Sequence, residues 1–377
     1  MPDDAAVVLD PYVRLGPLIL LGGMIALFAC SRVLTILFAR GGADARVGPR
    51  ALTLFVPIAA ASLVAMFLGR PEIAVGIVFG TSVGAVTSVI GFVAVAGPIH
   101  PGPPRWRRLW PFLLVASLLV FVAGFKGSLN WHDAVALVIE GMIVYSLWTE
   151  PLNPEASSHE TLTESDLAHG ADDHHAPYAT ALSYATPTDQ GDWTIGRVVV
   201  LTFELAMVAA LLWLGGWAVT QGAVRSSTTL RGMSTSGLAA SVVSIALVLP
   251  MMHGSWRMAA GGRAWASVTA QVGVVLLNLC ALLPLLILLP YAAAHAPTLT
   301  RWSGDALVWH EGLPRLLIYP TAVWRIDNVL LIIMGVMLLP VALGKWALGR
   351  EEGLALIAGY AFYLTATIAT SLNPNFR

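Results

Sequence analysis

Long apolar stretches follow one another along this chain and limit what it can fold into. Of its 377 residues, 57% are hydrophobic and only 11% are charged, a composition far more apolar than that of a soluble domain. A helix needs about 20 apolar residues to cross the hydrocarbon core of a bilayer. Suitable stretches occur at 16–39, 51–69, 72–97, 109–126, 132–149, 196–219, 233–253, 264–291, 326–345 and 353–373. The sequence therefore predicts an all-α, polytopic protein with about ten transmembrane helices in a lipid bilayer.

Three residues recur in the second half of the chain at identical spacing. Each lies 193 positions before its counterpart: Pro57 and Pro250, Ser62 and Ser255, and Gly80 and Gly273. An odd number of predicted spans separates the two copies, so the copies would cross the membrane in opposite directions. Many secondary transporters are built from inverted repeats of this kind. We therefore expect two inverted five-helix halves, at 1–149 and 195–377, joined by a linker at 150–194.

The linker at 150–194 is acidic and contains no Lys or Arg between Glu150 and Asp192. This composition is typical of a hydrophilic, disordered tether. Imidazoles and carboxylates alternate within it, and such groups can also bind a divalent metal. The candidate metal ligands are His169, Asp172, Asp173, His174 and His175. Both interpretations stay open, and the linker is also the segment through which we expect a protein partner to bind.

The basic residues of the loops predict an orientation. Loops of one parity hold the larger set, namely Arg40, Arg46, Arg50, Arg105, Arg107, Arg108, Arg257, Arg263, Lys345 and Arg350. Since short cytoplasmic loops are rich in Lys and Arg, these loops and the central linker are expected in the cytoplasm and both termini outside. The predicted location is the cell (inner) membrane, crossed many times. A net charge of −1 offers no case for nucleic acid as a partner.

Several residues inside the apolar stretches are functional candidates. Glu140, Glu204 and His253 are ionisable, and such residues within a span are functional candidates because burying a charge in hydrocarbon is costly. Each also has a structural interpretation: a neutral acid that faces other helices, or a histidine at a helix end. Gly76, Gly80 and Gly84 repeat every four residues, a spacing that predicts close helix packing in lipid.

The segment from Gly69 to Ser82 resembles the first alpha-repeat of the calcium/cation antiporter superfamily, which includes the sodium/calcium exchangers. That repeat contains a G-T-S-x-P-E helix, a short turn and then P-E-I-A-V-G-N-x-x-G-S-N-x-x-N. This chain reads P-E-I-A-V-G from Pro71 to Gly76, and Leu249-Pro250-Met251 aligns with the L-P-E of the second repeat. The resemblance implies the exchanger fold, a midplane cavity lined by helices two, three, seven and eight, and no cofactor. It also implies secondary transport of inorganic cations or protons by alternating access.

The chain departs from the family pattern at the ion site. In the family, one glutamate from each repeat binds sodium, calcium or protons in alternation, and those positions fall on Ile58 and Met251 here. Side-chain oxygens remain at Thr81, Ser82 and Asn278 among the positions carried over from the family. Ser62 could also line the cavity.

Pro57 and Pro250 precede the two lost glutamate positions. Proline inside a helix removes a backbone hydrogen bond and kinks the chain. These helix breaks are kept either for packing or for ion binding, and the sequence leaves both readings open.

Two functions stay open at this stage. One is cation antiport through an altered site, in which a monovalent ion or proton replaces calcium and Glu140, Glu204 or His253 carries the coupled proton. The other is a transport-inactive membrane scaffold, assembly subunit or sensor that keeps the exchanger fold. The Ser, His and Asp residues form no recognisable nucleophile context, so an enzyme is not predicted.

Overall fold

The computed structural model describes residues 15–40, 47–100, 108–125, 128–149, 195–229, 233–295, 317–318 and 321–372. These residues form ten long helices, as the sequence predicts. The helices of the first half are α1 Gly16–Arg40, α2 Val47–Phe67, α3 Pro71–Ala96, α4 Trp110–Gly124 and α5 Trp131–Thr149. Those of the second half are α6 Ile195–Thr229, α7 Thr235–Ala260, α8 Ala264–Leu277 with its continuation to His295, α9 Thr321–Ala342 and α10 Arg350–Leu372.

Three of these helices contain a π-helical segment in which the turn is wider. The segments are Ala85–Val89 in α3, Ala239–Val243 in α7 and Asn278–Leu282 in α8. Two short strands, β1 Ser128–Leu129 and β2 Leu317–Ile318, pair antiparallel and connect the two halves outside the helices.

Within the described ranges, seven helices are long and apolar enough to cross a membrane by length and composition: α1, α2, α3, α6, α7, α8 and α10. Two more, α4 and α9, hold shorter apolar segments, at Trp110–Gly124 and Ile326–Ala342. Helix α5 has 19 residues and carries Asp133 in its first turn. Helices α6 and α7 extend well beyond the predicted stretches, to Thr229 and Ala260. In α6 the added turns keep packing against α1, since a Cβ at Gly222 would lie 2.5 Å from the Leu20 Cα.

The connection between α2 and α3 has the same geometry as the connection between α7 and α8. Gly69 has φ +70° and Gly262, 193 positions later, has φ +75°, values that favour glycine. Gly69 N–H bonds to Met66 O and Gly262 N–H to Ala259 O, each at 3.0 Å. An arginine follows each glycine, and the next helix begins one residue later.

The π-helical segments follow the same repeat. Ala85 and Asn278, which begin the segments in α3 and α8, are 193 positions apart, as are Val89 and Leu282, which end them. The repeat that three residues reveal in the sequence is therefore also a repeat of backbone conformation.

The two halves are inverted. Arg50, near the start of α2, lies over Gly254 near the end of α7, where a Cβ would be 2.8 Å from the Arg50 Nη2. Gly76, near the start of α3, packs on Ser236 at the start of α7, where a Cβ at Gly76 would lie 2.8 Å from the Ser236 backbone oxygen. Because α3 starts where α2 ends, α2 and α7 run in opposite directions. These two helices are equivalent in the repeat, which is the inverted arrangement expected from the sequence.

The connections gather on two faces of the molecule. On one, which we call the basic face, Arg50 meets Gly254 and Ile99 pairs with Leu348. On the opposite face, β1 pairs with β2, and Ser234 N–H bonds to Ser371 O at 3.3 Å. Each face collects loops of a single parity, as ten crossings require.

The helices form a buried centre surrounded by lipid-facing neighbours. Every residue of α3 from Ile73 to Gly91 is buried. In contrast, large apolar side chains on α1, α6 and α10 are exposed, among them Leu18, Ile25, Phe203 and Phe362. An apolar outer surface is what a bilayer accepts, and a helix that is apolar all round belongs in the centre of such a bundle.

Arg70 and Arg263 provide a matched test of the inverted repeat. Both are exposed, and both precede the first residue of a helix in equivalent turns. We expect a membrane-impermeant maleimide to label only one of Arg70→Cys and Arg263→Cys in intact cells, and to label the other after permeabilisation. The native Cys30 and Cys280 are buried, so the background is low. Glu351→Cys is the control and should behave as Arg263→Cys does; labelling of both arginine positions from one side would contradict the inverted repeat.

Candidate functional site

A polar cluster lies where α3 meets α8. The Asn278 side-chain nitrogen Nδ2 donates hydrogen bonds to Ser82 Oγ at 3.0 Å and to Thr81 Oγ1 at 3.3 Å. All three side chains are fully buried. The structure thus brings together three of the four residues named from sequence as ion-binding candidates, although nearly 200 positions separate them along the chain. We call Thr81, Ser82 and Asn278 the central amide cluster.

The hydroxyl protons of this cluster are already in use. Thr81 Oγ1 donates to Ile77 O at 2.6 Å and Ser82 Oγ donates to Val78 O at 2.7 Å, both within α3. The two hydroxyls can therefore only accept from Asn278, which places the amide nitrogen towards them and the amide oxygen Oδ1 away. Oδ1 is buried without a hydrogen-bond partner among the described residues. A buried oxygen of this kind is costly unless a donor or a cation reaches it.

Glycine and a wide helical turn place these side chains. Gly80, just before Thr81, packs so closely on α7 that a Cβ would collide with Ala240 O and lie 2.7 Å from Ser244 Oγ. Asn278 is the first residue of the π-helical segment of α8, a type of turn that often occurs at functional sites. The position of the cluster thus depends on backbone contacts, which side-chain identity alone does not reveal.

Apolar packing fills the positions where the family resemblance places two glutamates. Ile58 has 0% and Met251 has 1% of its surface exposed, and both belong to the hydrophobic core. Pro57 and Pro250 are buried inside α2 and α7, and each helix continues past its proline. These positions therefore contribute no charge to the centre of the protein.

The repeated serines differ in their partners. Ser255 Oγ accepts a hydrogen bond from Gln271 Nε2 at 2.9 Å. The residue equivalent to Gln271 in the first half is Val78, which has no polar group. Ser62 Oγ is accordingly buried with no hydrogen-bond partner among the described residues. Ser62 remains a candidate ligand, separate from the central amide cluster.

Glu140 is the sequence-predicted carboxylate that lies deepest. Only 4% of its surface is exposed, and the polar group beside its carboxyl is the thiol of Cys280. Helix α5 packs closely there, since a Cβ at Gly141 would be 2.9 Å from Cys280 O. Cys280 belongs to the π-helical segment that begins at Asn278. Glu140 is therefore placed next to the segment that carries the central amide cluster.

The other two ionisable candidates lie elsewhere. Glu204 is half-buried on α6, which packs mainly on α1 and α2. His253 is exposed towards the end of α7, near the charges of Arg32 and Arg257.

The metal-ligand candidates of the linker, from His169 to His175, fall outside the described residues. Within the part of the chain that the structure describes, no group of three or more His, Cys, Asp or Glu side chains could hold a metal ion.

A second buried carboxylate was not among the candidates from sequence. Asp327 on α9 is fully buried and contacts the hydroxyl of Tyr363 on α10. Its sequence signal was an Asp-Asn pair inside the predicted stretch 326–345. The pair lies at the edge of that stretch, where a polar residue usually marks the membrane surface.

This chain is similar to known exchangers in part of its sequence and in its fold. Residues 51–147, which run from α2 to α5, match the sodium/calcium exchanger protein family. The crystal structure of the H⁺/Ca²⁺ exchanger CAX is similar, with a TM-score of 0.61 and 13% identity, covering 95% of this chain and 86% of that one. The sodium-calcium exchanger NCX_Mj, soaked with 10 mM Na⁺ and 10 mM Sr²⁺, has a TM-score of 0.51 and 18% identity, covering 94% and 98%.

This chain has the sodium/calcium exchanger fold. The family match over residues 51–147 includes the segment from Gly69 to Ser82, so the resemblance to sodium/calcium exchangers predicted there is confirmed. None of the functionally curated proteins matches the sequence significantly.

The central amide cluster predicts an energetic coupling between the two halves. In a double-mutant cycle, Ser82→Ala and Asn278→Ala should show a coupling free energy of unfolding of about 0.5–1.5 kcal/mol, because each change removes the same hydrogen bond. The measurement is chemical unfolding of the purified protein in detergent micelles. Ser88→Ala is the control, since Ser88 Oγ bonds to Gly84 O of its own helix and its effect should add to that of Asn278→Ala. A coupling indistinguishable from zero would show that the interaction across the two halves is absent in solution.

Proposed function

We propose that this protein is a secondary-active antiporter of the sodium/calcium exchanger type that exchanges a monovalent cation for protons. The observation that carries the proposal is the central amide cluster, in which α3 of one half binds α8 of the other. Transporters built from inverted repeats hold their substrate where the repeats meet, at helices whose regular hydrogen bonding is interrupted. The fold of the two exchangers named above supports transport of a cation.

The absence of a formal charge in the central amide cluster favours a monovalent ion over calcium. Calcium takes six to eight oxygen ligands, several of them carboxylates. The cluster offers hydroxyl and amide oxygens with no formal charge, and Ile58 and Met251 occupy the positions of the two family glutamates. An ion that must lose its water here therefore carries a single charge at most.

Glu140 is the favoured proton carrier. Glu140 is buried beside Cys280, and Cys280 lies in the same π-helical segment as Asn278. Ion binding at the cluster and protonation of Glu140 would therefore act on the same short piece of backbone. Glu204 lies on a peripheral helix, and His253 is exposed among arginines. By contrast, the helix of Glu140 packs against the π-helical segment that begins at Asn278.

The alternative is a transport-inactive exchanger-fold scaffold, assembly subunit or sensor. One observation favours it: Ile58 and Met251 are packed into the hydrophobic core, as expected of a site that has been replaced by apolar contacts. In this reading the linker at 150–194 would bind a protein partner.

Transport in liposomes separates the two functions. Purified protein is reconstituted with an internal pH indicator, and gradients of Na⁺, K⁺ and Ca²⁺ are imposed in turn. We expect proton movement with Na⁺ or K⁺ that falls about tenfold or more in Glu140→Gln and Asn278→Ala, since a loss of about 1.4 kcal/mol changes a rate tenfold. The matched control is Glu204→Gln, which removes a carboxyl of the same size from a peripheral helix and should keep most of the flux.

The opposite results are equally informative. Flat traces from folded wild-type protein would favour the scaffold. Flux that falls in Glu204→Gln or His253→Ala, and not in Glu140→Gln, would move the coupling residue away from α5.

We also propose that the basic face lies in the cytoplasm of a cell whose inner membrane holds this protein, with the linker on that side and both termini outside. The distribution of Lys and Arg among the loops supports this orientation. The labelling experiment on Arg70→Cys and Arg263→Cys reports it directly, because Arg263 belongs to the cytoplasmic face in this arrangement.

A further inference from the structure

A cavity lies between α1, α2 and α7 near the basic face. It contains about 300 Å³ of space free of atoms, and its walls include Arg32 and Thr35 of α1, Thr53 of α2 and Gly254 of α7. Gly254 is less than two turns before the end of α7 at Ala260, which is about 9 Å along the helix axis. This depth is where the headgroups of a bilayer meet the acyl chains.

Arg32 lies on the outer surface of α1 as well as on the cavity. Ile25, Phe28 and Ile36 are exposed apolar residues, and each is four or seven positions from Arg32, so all four share one helix face. An arginine in such a stripe is costly unless its charge reaches water or an anion. Arg32 forms no ion pair and no side-chain hydrogen bond with another described residue.

The neighbouring outer surface of α7 carries a second arginine. Leu249, His253 and Arg257 recur every four residues and are exposed, so they follow one face of the helix. Arg257 is three positions after Gly254 and therefore lies about one turn from the cavity, on the side of the basic face. Trp256 is 43% exposed beside it, and tryptophan gathers at membrane interfaces. This face thus changes from apolar to basic in the order in which a lipid's chains and headgroup would meet it.

The two threonines of the cavity can accept hydrogen bonds from a ligand. Thr35 Oγ1 donates its proton to Ser31 O and Thr53 Oγ1 donates to Arg50 O, each at 2.8 Å. Their remaining lone pairs can accept from hydroxyl groups, such as those of a glycerol headgroup. Arg50 also lines the cavity, but it already has another interaction and is not counted as a ligand.

We propose that Arg32 and Arg257 bind the phosphate of an anionic phospholipid in the leaflet at the basic face, with its hydroxylated headgroup in the cavity. Guanidinium groups match phosphate with paired hydrogen bonds, and basic pockets between transmembrane helices bind anionic headgroups. The acyl chains would lie along Phe28 and Leu249. Among the described residues that line the cavity none is acidic, so a choline headgroup would find no opposite charge there.

Binding of the lipid can be measured on the purified protein in detergent. Thermal unfolding is followed by tryptophan fluorescence while phosphatidylglycerol or phosphatidylcholine is added to the micelles at equal mole fractions and constant ionic strength. A ligand that binds only the folded state raises the unfolding midpoint as its concentration rises. We expect phosphatidylglycerol to raise the midpoint of the wild type more than phosphatidylcholine does.

Three variants test the two arginines. Arg32→Gln and Arg257→Gln should each shift the response to about tenfold higher mole fraction of phosphatidylglycerol, equivalent to about 1.4 kcal/mol of binding free energy. Arg32→Lys keeps the charge without the planar fork. Its response should fall between those of the wild type and Arg32→Gln, and it tests the site even where Arg32→Gln does not fold.

The matched control is Arg263→Gln. Arg263 is exposed on the basic face and is not among the residues that line the cavity, so this change removes the same charge from the same face. The variant should keep most of the response to phosphatidylglycerol, because only a diffuse attraction to the face is weakened.

Soluble phosphates separate a lipid from a free anion with the same chemistry. Inorganic phosphate and glycerol phosphate are tested in place of the lipid, and neither should raise the midpoint as phosphatidylglycerol does, because neither has acyl chains to contact the helices. A rise with these anions that depends on Arg32, without a rise with phosphatidylglycerol, would overturn the lipid as the occupant.

Other results would overturn the site altogether. These are equal responses to the two lipids, an unchanged response in both Arg32→Gln and Arg257→Gln, and a loss in Arg263→Gln as large as theirs. The last result would show that the whole basic face attracts the lipid diffusely. Because no ion flux is measured, the site can stand or fall independently of the antiport proposed above.

Discussion

The close packing of α3 against α7 through glycine is the constraint on which the rest of the structure depends. Gly76, Gly80 and Gly84 each present a bare backbone to α7, and any Cβ there would collide with atoms of α7. Lipid tails offer no hydrophobic drive for helices to associate, so such contacts and the hydrogen bonds they allow hold the bundle together. The packing that the four-residue spacing of these glycines predicts is therefore observed, and it places Thr81 and Ser82 where Asn278 reaches them.

The protein keeps its charges away from the place where the family resemblance would put them. Ile58 and Met251 fill the centre with apolar side chains, and the buried carboxylates Glu140 and Asp327 approach from outside it. Both point to π-helical segments, Glu140 through Cys280 of α8 and Asp327 through Tyr363 beside Ala240 of α7. A π-helical turn interrupts regular backbone hydrogen bonding, so its carbonyl groups can reorient when a charge nearby changes. In the antiport proposed above, ion and proton would be coupled through the backbone and not by paired glutamates that bind the ion directly.

Much of the candidate site could be predicted from the sequence, because the family resemblance assigns ion-binding positions to particular residues of this chain. Thr81, Ser82 and Asn278 were named together from aligned positions, and the structure joins them. The sequence did not rank the proton-coupling candidates Glu140, Glu204 and His253, since each is an ionisable residue in an apolar stretch. Only the packing of α5 on Cys280 separates Glu140 from the other two. Asp327 escaped notice because its partner, Tyr363, lies on the next helix and the contact depends on how α9 and α10 pack.

The sequence by itself determined the number of helices, their repeat and their inverted order, because these follow from apolar length and from residues at a constant offset of 193 positions. It also has Ile58 and Met251 at the positions where the family resemblance implies two glutamates. The tertiary structure alone decided which polar groups meet. Hydrogen bonds such as that from Asn278 to Ser82 join residues far apart in the chain, and they form only where two helices lie close enough together. Glycine contacts and π-helical turns set the distance between the helices. The pattern of residues along the sequence does not show which helices these contacts bring together.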